Sequence, residues 1–421
     1  MSIAPAQPAQ PSEVAGAASE VARSPALRPP PGNPRFPLID SMRAIAALSV
    51  LVYHIGFWGR LQQTHAYGAA LTSLGFGVAV FFVLSGFLLY RPFFNAEVTG
   101  SPRPRIRVFL RRRVVRVVPA YWLALTVLAI FPGLIGVFTD HWWRYYGFLQ
   151  IYSSVPLIRI TGISVAWSLC IEVSFYLALP FYAALTRRLV RDLDPDRKAL
   201  VQLGFLTVLG AASLILGWGI HGAGTPPLLL TFFDWFALGM GLAVISVWAH
   251  GRAEQPWPIR LIVEHPAWCW GAALAVYAIL SGLVASAPQH YLLSRSQAFE
   301  DHALRGLVAL LLVLPAVFGS EAGGWPRRLL AHGWMRWLGL ISYGIFLWHL
   351  PLLLWMYRHG LHFTPLLLLC TLAVTIACAA ASYYLVERPL LRFKDPRPRR
   401  GARGAHRPAP AARPSGESPA A

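Results

Sequence analysis

Residues 74–94 read LGFGVAVFFVLSGFLLYRPFF, a run in which Arg91 is the single charged residue. An α-helix rises about 1.5 Å per residue, so a run of this length crosses the roughly 30 Å of hydrocarbon in a bilayer. The run does not alternate apolar and polar residues, as a strand of a membrane β-barrel would. Because lipid offers the backbone no hydrogen bonds, the stretch is predicted to be a transmembrane helix.

Nine further segments share this character. Together they predict an all-α polytopic membrane protein of about ten transmembrane helices, at 42–59, 74–94, 119–138, 165–185, 200–220, 228–248, 268–286, 303–319, 334–356 and 364–386. The composition agrees, since 56% of the 421 residues are hydrophobic and only 13% are charged. A soluble domain carries about a quarter charged residues, so a soluble globular protein is excluded.

The two ends of the chain have a different composition. Residues 1–37 are rich in Ala, Pro, Ser and Glu and lack the apolar core of a signal peptide, so they are predicted to be a disordered cytoplasmic tail that stays attached. Residues 393–421, rich in Pro, Arg, Ala and Gly, are predicted to be a disordered basic tail. The transmembrane domain is therefore expected at 38–392.

Positive residues are distributed unevenly between the predicted loops. The chain has 37 Lys and Arg against 18 Asp and Glu, a formal charge of +19. If the N-terminus is cytoplasmic, the positive residues left outside are Arg60, Arg144, Arg159, Arg295, Arg305 and Arg358. The positive-inside rule then predicts that both termini are cytoplasmic, in a multi-pass protein of the inner (plasma) membrane. Because topology accounts for most of the charge, no nucleic-acid partner is predicted.

The first predicted span carries polar groups within an apolar run, and ionisable residues there are costly enough to be functional candidates. Arg43 and His54 are eleven residues apart, which puts them on one helix face with roughly 16 Å of rise between them. Arg43 could hold a phosphate or carboxylate, and His54 could take and return a proton. The alternatives are an interfacial anchor paired with Asp40 and a structural hydrogen bond of His54 between helices.

The fourth predicted span has a polar stripe. Ser168, Glu172 and Tyr176 follow one another at intervals of four residues and therefore share one helix face. A carboxylate among apolar residues should face the interior of the bundle, where Glu172 could orient and polarise a histidine. The alternative is a purely structural bond between helices.

An arginine-rich segment precedes the third predicted span. It contains Arg103, Arg105, Arg107, Arg111, Arg112, Arg113 and Arg116. This is more positive charge than orientation requires, and a cytoplasmic ligand with several phosphates, such as coenzyme A, would suit it. Positive-inside charge and attraction to anionic lipid remain an equal alternative for each single arginine.

Three further features lie inside predicted spans. Asp234 and His349 are intramembrane polar groups that could line a central cavity. Ser85 and Gly86 are small residues that favour close helix packing. The four cysteines lie in apolar stretches without disulfide or zinc spacing, so no metal site is predicted.

Taken together, these motifs resemble the acyltransferase-3 family of bacterial integral-membrane O-acyltransferases. The matching motifs follow family order across about 38–390: Ile39–Ala44 running to His54, Gly77-Val78 through Phe81–Phe87, Arg113 and Arg116 with Pro119 and Tyr121, Trp167–Leu169 with Glu172 and Tyr176, Ser342–Gly344 to His349, and Glu387–Pro389.

The resemblance implies transfer of an acyl group, commonly acetyl, from cytoplasmic acyl-CoA to a hydroxyl. The acceptor would be a sugar of a surface glycan, a lipid-linked intermediate or a glycosylated small molecule. His54 would be general base or, as a second option, transient acyl carrier; Arg43 would position the donor, and Glu172 would orient the site or shuttle a proton. Donor binding would also involve Arg113 and Arg116. Substrate-binding or cavity-lining residues would be Asp40, Tyr121, Trp167, Tyr176, Asp234 and His349.

A different class of protein fits the same chain. In a proton-coupled secondary transporter or a lipid-linked sugar translocase, His54, Glu172 and Asp234 would form a proton relay. The dense arginine cluster favours the enzyme, because a transporter has no evident need for it.

Overall fold

A computed structural model of the chain describes residues 36–59, 67–220, 227–250, 252, 254–286, 293–318 and 324–393. The predicted tails, 1–37 and 393–421, lie almost wholly outside the described residues. Within the described residues the regular structure is helical and contains no strand. The expectation of an all-α protein is therefore confirmed.

Ten long helices form the body of the protein. They are α1 Ile39–Trp58, α2 Gly77–Thr99, α3 Ile106–Ile130, α4 Trp167–Val190, α5 Pro195–Leu214, α6 Phe233–His250, α7 Pro266–Ser286, α8 Arg295–Val317, α9 Gly333–Arg358 and α10 Thr364–Ser382. Shorter helices span Gly68–Ser73, Trp142–Tyr146, Pro156–Ile160, Trp257–Glu264, Gly324–Ala331 and Arg388–Leu391. Single turns of 3₁₀ helix lie at Leu74–Phe76, Gln150–Tyr152, Ser164–Ala166 and Leu229–Thr231, and π-turns extend α5 at Ile215–Gly219 and α10 at Tyr383–Glu387.

Nine stretches of the described chain are long and apolar enough to cross a membrane. They contain every long helix except α8, whose first half carries Arg295, Glu300, Asp301 and Arg305. The predicted span 303–319 begins within α8, includes Arg305 and the apolar residues up to Val317, and ends outside the described residues. A polytopic membrane protein is confirmed, while the cytoplasmic placement of both termini stays a prediction.

The helices differ in how deeply they are buried. Most residues of α9 are shielded, because α9 packs against α1 on one side and α10 on another. α2 packs closely on α6 and also on α1. α7 and α5 are peripheral and expose apolar side chains such as Leu274 and Val208. These exposed faces suit contact with lipid, which requires no polar cover.

Glycines allow the closest helix crossings. A Cβ on Gly86 of α2 would overlap the Phe236 carbonyl oxygen of α6, and a Cβ on Gly239 of α6 would overlap the Val83 carbonyl oxygen of α2. The crossing is thus reciprocal, with each glycine facing the partner's backbone. The packing role predicted for Gly86 is what its surroundings show, because small residues let membrane helices approach.

Candidate active site

An arginine-rich depression lies where α2 ends and α3 begins. Its lining includes Arg91, Arg103, Arg105, Arg112 and Arg113. It has a volume of about 430 Å³, and no carboxylate lines it among the described residues. We call it the arginine basin. A cluster of guanidinium groups of this kind suits a ligand with several phosphates.

A narrow cavity continues inward from the arginine basin. The two share Leu88, Leu89 and Arg113 in their walls, and the cavity has a volume of about 80 Å³. We call it the inner cavity. The side chains predicted from separate helices meet here, and they are Arg43 of α1, Arg113 and Arg116 of α3, and Glu172 and Tyr176 of α4.

Positive charge exceeds negative charge around the inner cavity. Asp40 is buried and accepts a hydrogen bond from Arg43 Nη1 at 3.1 Å, so this arginine has one counter-charge. Arg113 Nε is buried and has no hydrogen-bond partner among the described residues. A buried donor without a partner is costly, so the site favours an anionic ligand. Glu172 is the one carboxylate that lines the described wall of the inner cavity.

Ser85 has a polar contact that its sequence context did not predict. Its hydroxyl donates to Glu172 Oε1 at 2.5 Å, which links α2 to α4 across the inner cavity. Packing was the expected role of the Ser85-Gly86 pair. Gly86 packs as expected, whereas Ser85 faces the polar centre and fixes the carboxylate.

A third space lies at the opposite end of α1. It has a volume of about 350 Å³, and His54 lines it. We call it the His54 chamber. Its aromatic lining consists of Tyr53, Phe57, Trp167, Trp218, Phe232, Trp235 and Phe346. Val78 and Phe346 line both this chamber and the inner cavity, so these two side chains form the partition between them.

His54 and His349 form a pair that joins α1 to α9. His349 Nε2 lies 3.2 Å from His54 Nδ1, and His349 is completely buried. Each ring also contacts its own helix backbone through Nδ1, at 2.9 Å from the Val50 carbonyl oxygen for His54 and 3.0 Å from that of Ile345 for His349.

These contacts determine which ring nitrogens carry protons. A carbonyl oxygen can only accept, so both Nδ1 atoms must donate. His349 Nε2 is then an acceptor, and the His54 Nδ1–H is shared between it and the Val50 carbonyl. The remaining nitrogen, His54 Nε2, keeps its lone pair. This is the tautomer that a general base requires.

The His54 chamber contains residues that were not predicted as site residues. Asp301, His302 and Arg305 of α8 line its wall. The spacing of Asp301 and Arg305 could have suggested an ion pair, because residues four apart are neighbours on a helix. His302 binds Asp234, 68 positions away, and no local signal predicts such a contact.

The remaining predicted residues are placed as follows. Trp167 lines the His54 chamber. Asp234 lies within hydrogen-bond distance of His302 and of Ser213, and it does not line the described chamber wall. Tyr121 is fully buried, donates to the Tyr145 carbonyl and stacks on Phe148, away from the described cavity walls. These contacts give Tyr121 a packing role.

Comparison with known proteins shows the family to which the chain belongs. The profile of a family described as an acyltransferase domain matches residues 36–384. This range includes all ten long helices and ends within the π-turn that extends α10. The chain belongs to the acyltransferase-3 family. Every motif from the first span to His349 falls inside the matched region.

Several curated relatives carry names from acyl transfer. The acyltransferase-3 chain is 25% identical over 336 residues to the peptidoglycan O-acetyltransferase OatA of Listeria monocytogenes, covering 75% of this chain and 49% of the relative. It is 25% identical over 391 residues to YrhL of Bacillus subtilis, named as a candidate peptidoglycan O-acetyltransferase, with 84% and 55% covered. BcsY of Komagataeibacter xylinus, named as a candidate membrane-bound transacylase, is 26% identical over 388 residues, with 86% and 84% covered.

The acyltransferase-3 chain spans about half the length of the first two of these relatives. No solved structure matches it.

Proposed function

We propose that this protein transfers a small acyl group, acetyl as the first expectation, from cytoplasmic acyl-CoA to a hydroxyl of a sugar. The sugar would belong to a surface glycan, a lipid-linked intermediate or a glycosylated small molecule. The relatives support the reaction class by their names. The protein would act in the plasma membrane, with the arginine basin facing the cytoplasm.

The donor would be bound in two parts. The phosphates of coenzyme A suit the arginine basin, because guanidinium groups form charge-assisted hydrogen bonds with phosphate oxygens. The inner cavity is too narrow for a nucleotide, so only the thin thioester arm would enter it. Arg43 and Arg113, which line the inner cavity, would hold the arm's polar groups or a phosphate at its base.

The chemistry would take place at His54. His54 Nε2 accepts the proton of the acceptor hydroxyl while that oxygen attacks the thioester carbonyl carbon. A carbon–oxygen bond forms, the carbon–sulfur bond breaks, and the sulfur leaves with the proton from the imidazolium. The products are an ester and free coenzyme A thiol, and His54 returns to its neutral form.

The other polar groups would position these participants. His349 holds the His54 Nδ1–H, which keeps the lone pair on Nε2. Ser85 donates a hydrogen bond to Glu172 and fixes its position. The Glu172 carboxylate would compensate part of the positive charge of the arginines in the inner cavity when no donor is bound.

One observation supports this proposal most strongly. The arginine basin, the inner cavity and the His54 chamber follow one another through shared walls, at Leu88, Leu89 and Arg113 and then at Val78 and Phe346. The order runs from a cluster of arginines through a narrow cavity to an aromatic chamber that His54 lines. This is the sequence of sites that acyl transfer from coenzyme A requires.

Substitution of His54 tests the proposal. In membranes supplied with ¹⁴C-acetyl-CoA, His54→Gln should lower the rate of label transfer to glycan by about 10²–10⁴-fold, the usual contribution of a general base. The KM for acetyl-CoA should stay within a factor of about two, because the arginine basin is unchanged.

His359→Gln is the matched control, since His359 is an exposed histidine at the end of α9. It should transfer label at the wild-type rate. Full activity of His54→Gln would exclude the role of His54. Sugar translocation that needs no acyl-CoA, with no labelled glycan from the wild type, would favour the transporter class instead.

A further inference from the structure

The charged groups that line the described wall of the His54 chamber, Asp301 and Arg305, are already paired. Arg305 binds Asp301 through two hydrogen bonds, Nε to Oδ2 at 2.7 Å and Nη2 to Oδ1 at 2.9 Å. Both side chains are largely buried, with 15% and 17% of their surfaces exposed. A bidentate pair of this kind fixes both groups, and the arginine is left with little capacity for another anion.

Arg305 is also held from its other side. Its Nη1 lies against Gly75, where an added Cβ would overlap this nitrogen. Gly75 belongs to the 3₁₀ turn that precedes α2 and lines the same chamber. The guanidinium is therefore clamped between Asp301 and Gly75, so it cannot swing into the chamber without breaking its ion pair.

His302 is paired in the same manner. Its Nε2 lies 2.9 Å from Asp234 Oδ2, so one proton is shared between these two groups. Its ring is stacked between Trp218, at 4.4 Å, and Trp235, at 4.2 Å. His302 thereby covers the carboxylate, which does not itself line the described chamber wall.

We infer that the His54 chamber binds an uncharged sugar unit of the acceptor and excludes units that carry a carboxylate, a phosphate or an amine. The inference rests on the proposed acyl transfer. Removing a charged group from water is costly unless a partner of opposite charge compensates it, and here the available partners are engaged with each other. A neutral sugar loses no ionic hydration.

The aromatic lining supports the same class of ligand. Trp167 and Tyr53, together with Phe57, offer apolar ring faces with a few polar edges. The C–H faces of a pyranose pack on such rings, while its hydroxyls reach polar groups at the rim. The Asp301 carboxylate can still accept a hydrogen bond from a sugar hydroxyl, because each of its oxygens has a further lone pair. This contact does not require Asp301 and Arg305 to separate.

Three octyl glycosides, which differ in the charge of the sugar, test this selectivity. Octyl β-glucoside, octyl β-glucuronide and octyl β-glucosaminide are neutral, anionic and cationic respectively. Each is added to membranes that transfer ¹⁴C-acetyl from acetyl-CoA to glycan. For the wild type, the glucoside should inhibit labelling at concentrations about tenfold lower than either charged sugar. Equal inhibition by all three, inhibition by none, or stronger inhibition by a charged sugar would overturn the inference.

Charge substitutions should reverse the order. Asp301→Asn leaves Arg305 unpaired, so the glucuronide should become the strongest inhibitor, with its half-inhibitory concentration lowered about tenfold relative to the glucoside. Arg305→Gln leaves Asp301 unpaired and should favour the glucosaminide in the same way. An unchanged order in both variants would contradict the assignment of selectivity to this pair.

Two further variants act as controls. Glu300→Gln removes one negative charge at an exposed neighbouring position and should keep the wild-type order. The double variant Asp301→Asn with Arg305→Gln is neutral again and should also prefer the glucoside, which tests the inference even if an unpaired charge prevents folding. The amount of ¹⁴C-acetyl transferred to glycan without inhibitor measures the acyl transfer itself. If the proposed function is wrong, no glycan is labelled even without inhibitor, and this result differs from a change in the order of the inhibitors.

Discussion

At the scale of single residues, the contact between His54 and His349 joins α1 to α9. Neither ring needs a carboxylate to select its tautomer, because each donates its Nδ1–H to the carbonyl four residues earlier in its own helix. His349 then offers Nε2 as an additional acceptor to His54. Contacts from α1 and α9 thus hold the proton on His54 Nδ1 and leave His54 Nε2 unprotonated.

Replacement of His349 should separate catalysis from binding. His349→Leu removes the acceptor for the His54 Nδ1–H, and we expect kcat to fall about tenfold, the effect of one hydrogen bond on a transition state. His349→Gln retains an acceptor oxygen and should recover most of that loss. Steady-state kinetics with acetyl-CoA should show an unchanged KM in both, since His349 lies outside the arginine basin. A raised KM with normal kcat would contradict the positioning role.

The candidate site could be predicted in part at this scale. Arg43, Glu172 and His54 stand out in the sequence because charge inside an apolar span is costly. Arg113 stands out as one of seven arginines clustered before the third predicted span. Contacts between distant residues could not be predicted, and the ring of His302 stacked between Trp218 and Trp235 is one such contact. Membrane helices pack by shape and by scattered hydrogen bonds, so periodicity identifies the helices but not their neighbours.

At the scale of elements, the junction of α2 and α3 concentrates the positive charge. The sequence predicts a phosphate-binding segment there, and the fold adds Arg91 from the end of α2 to the same basin. The positive-inside assignment already places Arg91 on the same side as this segment, but its position in the basin wall depends on helix packing and could not be predicted.

Shortened donors should show which part of the donor the arginine basin binds. Arg103→Gln with Arg105→Gln should raise the KM for acetyl-CoA about tenfold, because charge-assisted bonds to phosphate are lost. The same variant should use acetyl-pantetheine, which has no nucleotide, as well as the wild type does. Arg188→Gln, an exposed arginine at the end of α4, is the control and should change neither value. Equal losses for both donors would argue against phosphate binding.

The crossing of α2 and α6 makes a separate prediction. Gly86→Ala or Gly239→Ala places a methyl group against the partner's backbone, so we expect the free energy of unfolding to fall by about 1–3 kcal/mol. Thermal unfolding in detergent, followed by fluorescence, would measure the shift in Tm. Gly271→Ala on peripheral α7 meets no atom within 4 Å and should leave Tm unchanged or slightly raised.

At the scale of the whole molecule, the three spaces are neighbours that share wall residues. α1 runs between the second and the third of them, with Arg43 at the inner cavity and His54 at the His54 chamber. The sequence predicts this separation from the helical rise between the two residues. The partition at Val78 and Phe346 could not be predicted, because it depends on how α2 and α9 face each other.

Blocking the partition should stop transfer without weakening donor binding. Val78→Trp fills the boundary between the inner cavity and the His54 chamber, and we expect label transfer to glycan to fall at least about tenfold. The Kd for adenosine 3′,5′-bisphosphate, a fragment of coenzyme A without the arm, should be unchanged because Val78 does not line the arginine basin, and this also shows that the variant is folded. Val78→Ala keeps the boundary open and should stay active. Wild-type transfer by Val78→Trp would exclude passage of the acyl group at this point.

The pairing of α1 with α9 has a consequence for how the protein is made. His54 and His349 are separated by 295 positions, so the ribosome has delivered His54 to the membrane long before its partner exists. During that interval α1 has no α9 to cover its polar face. The pair forms only after α9 has been synthesised, so a nascent chain that has not reached α9 has no paired His54.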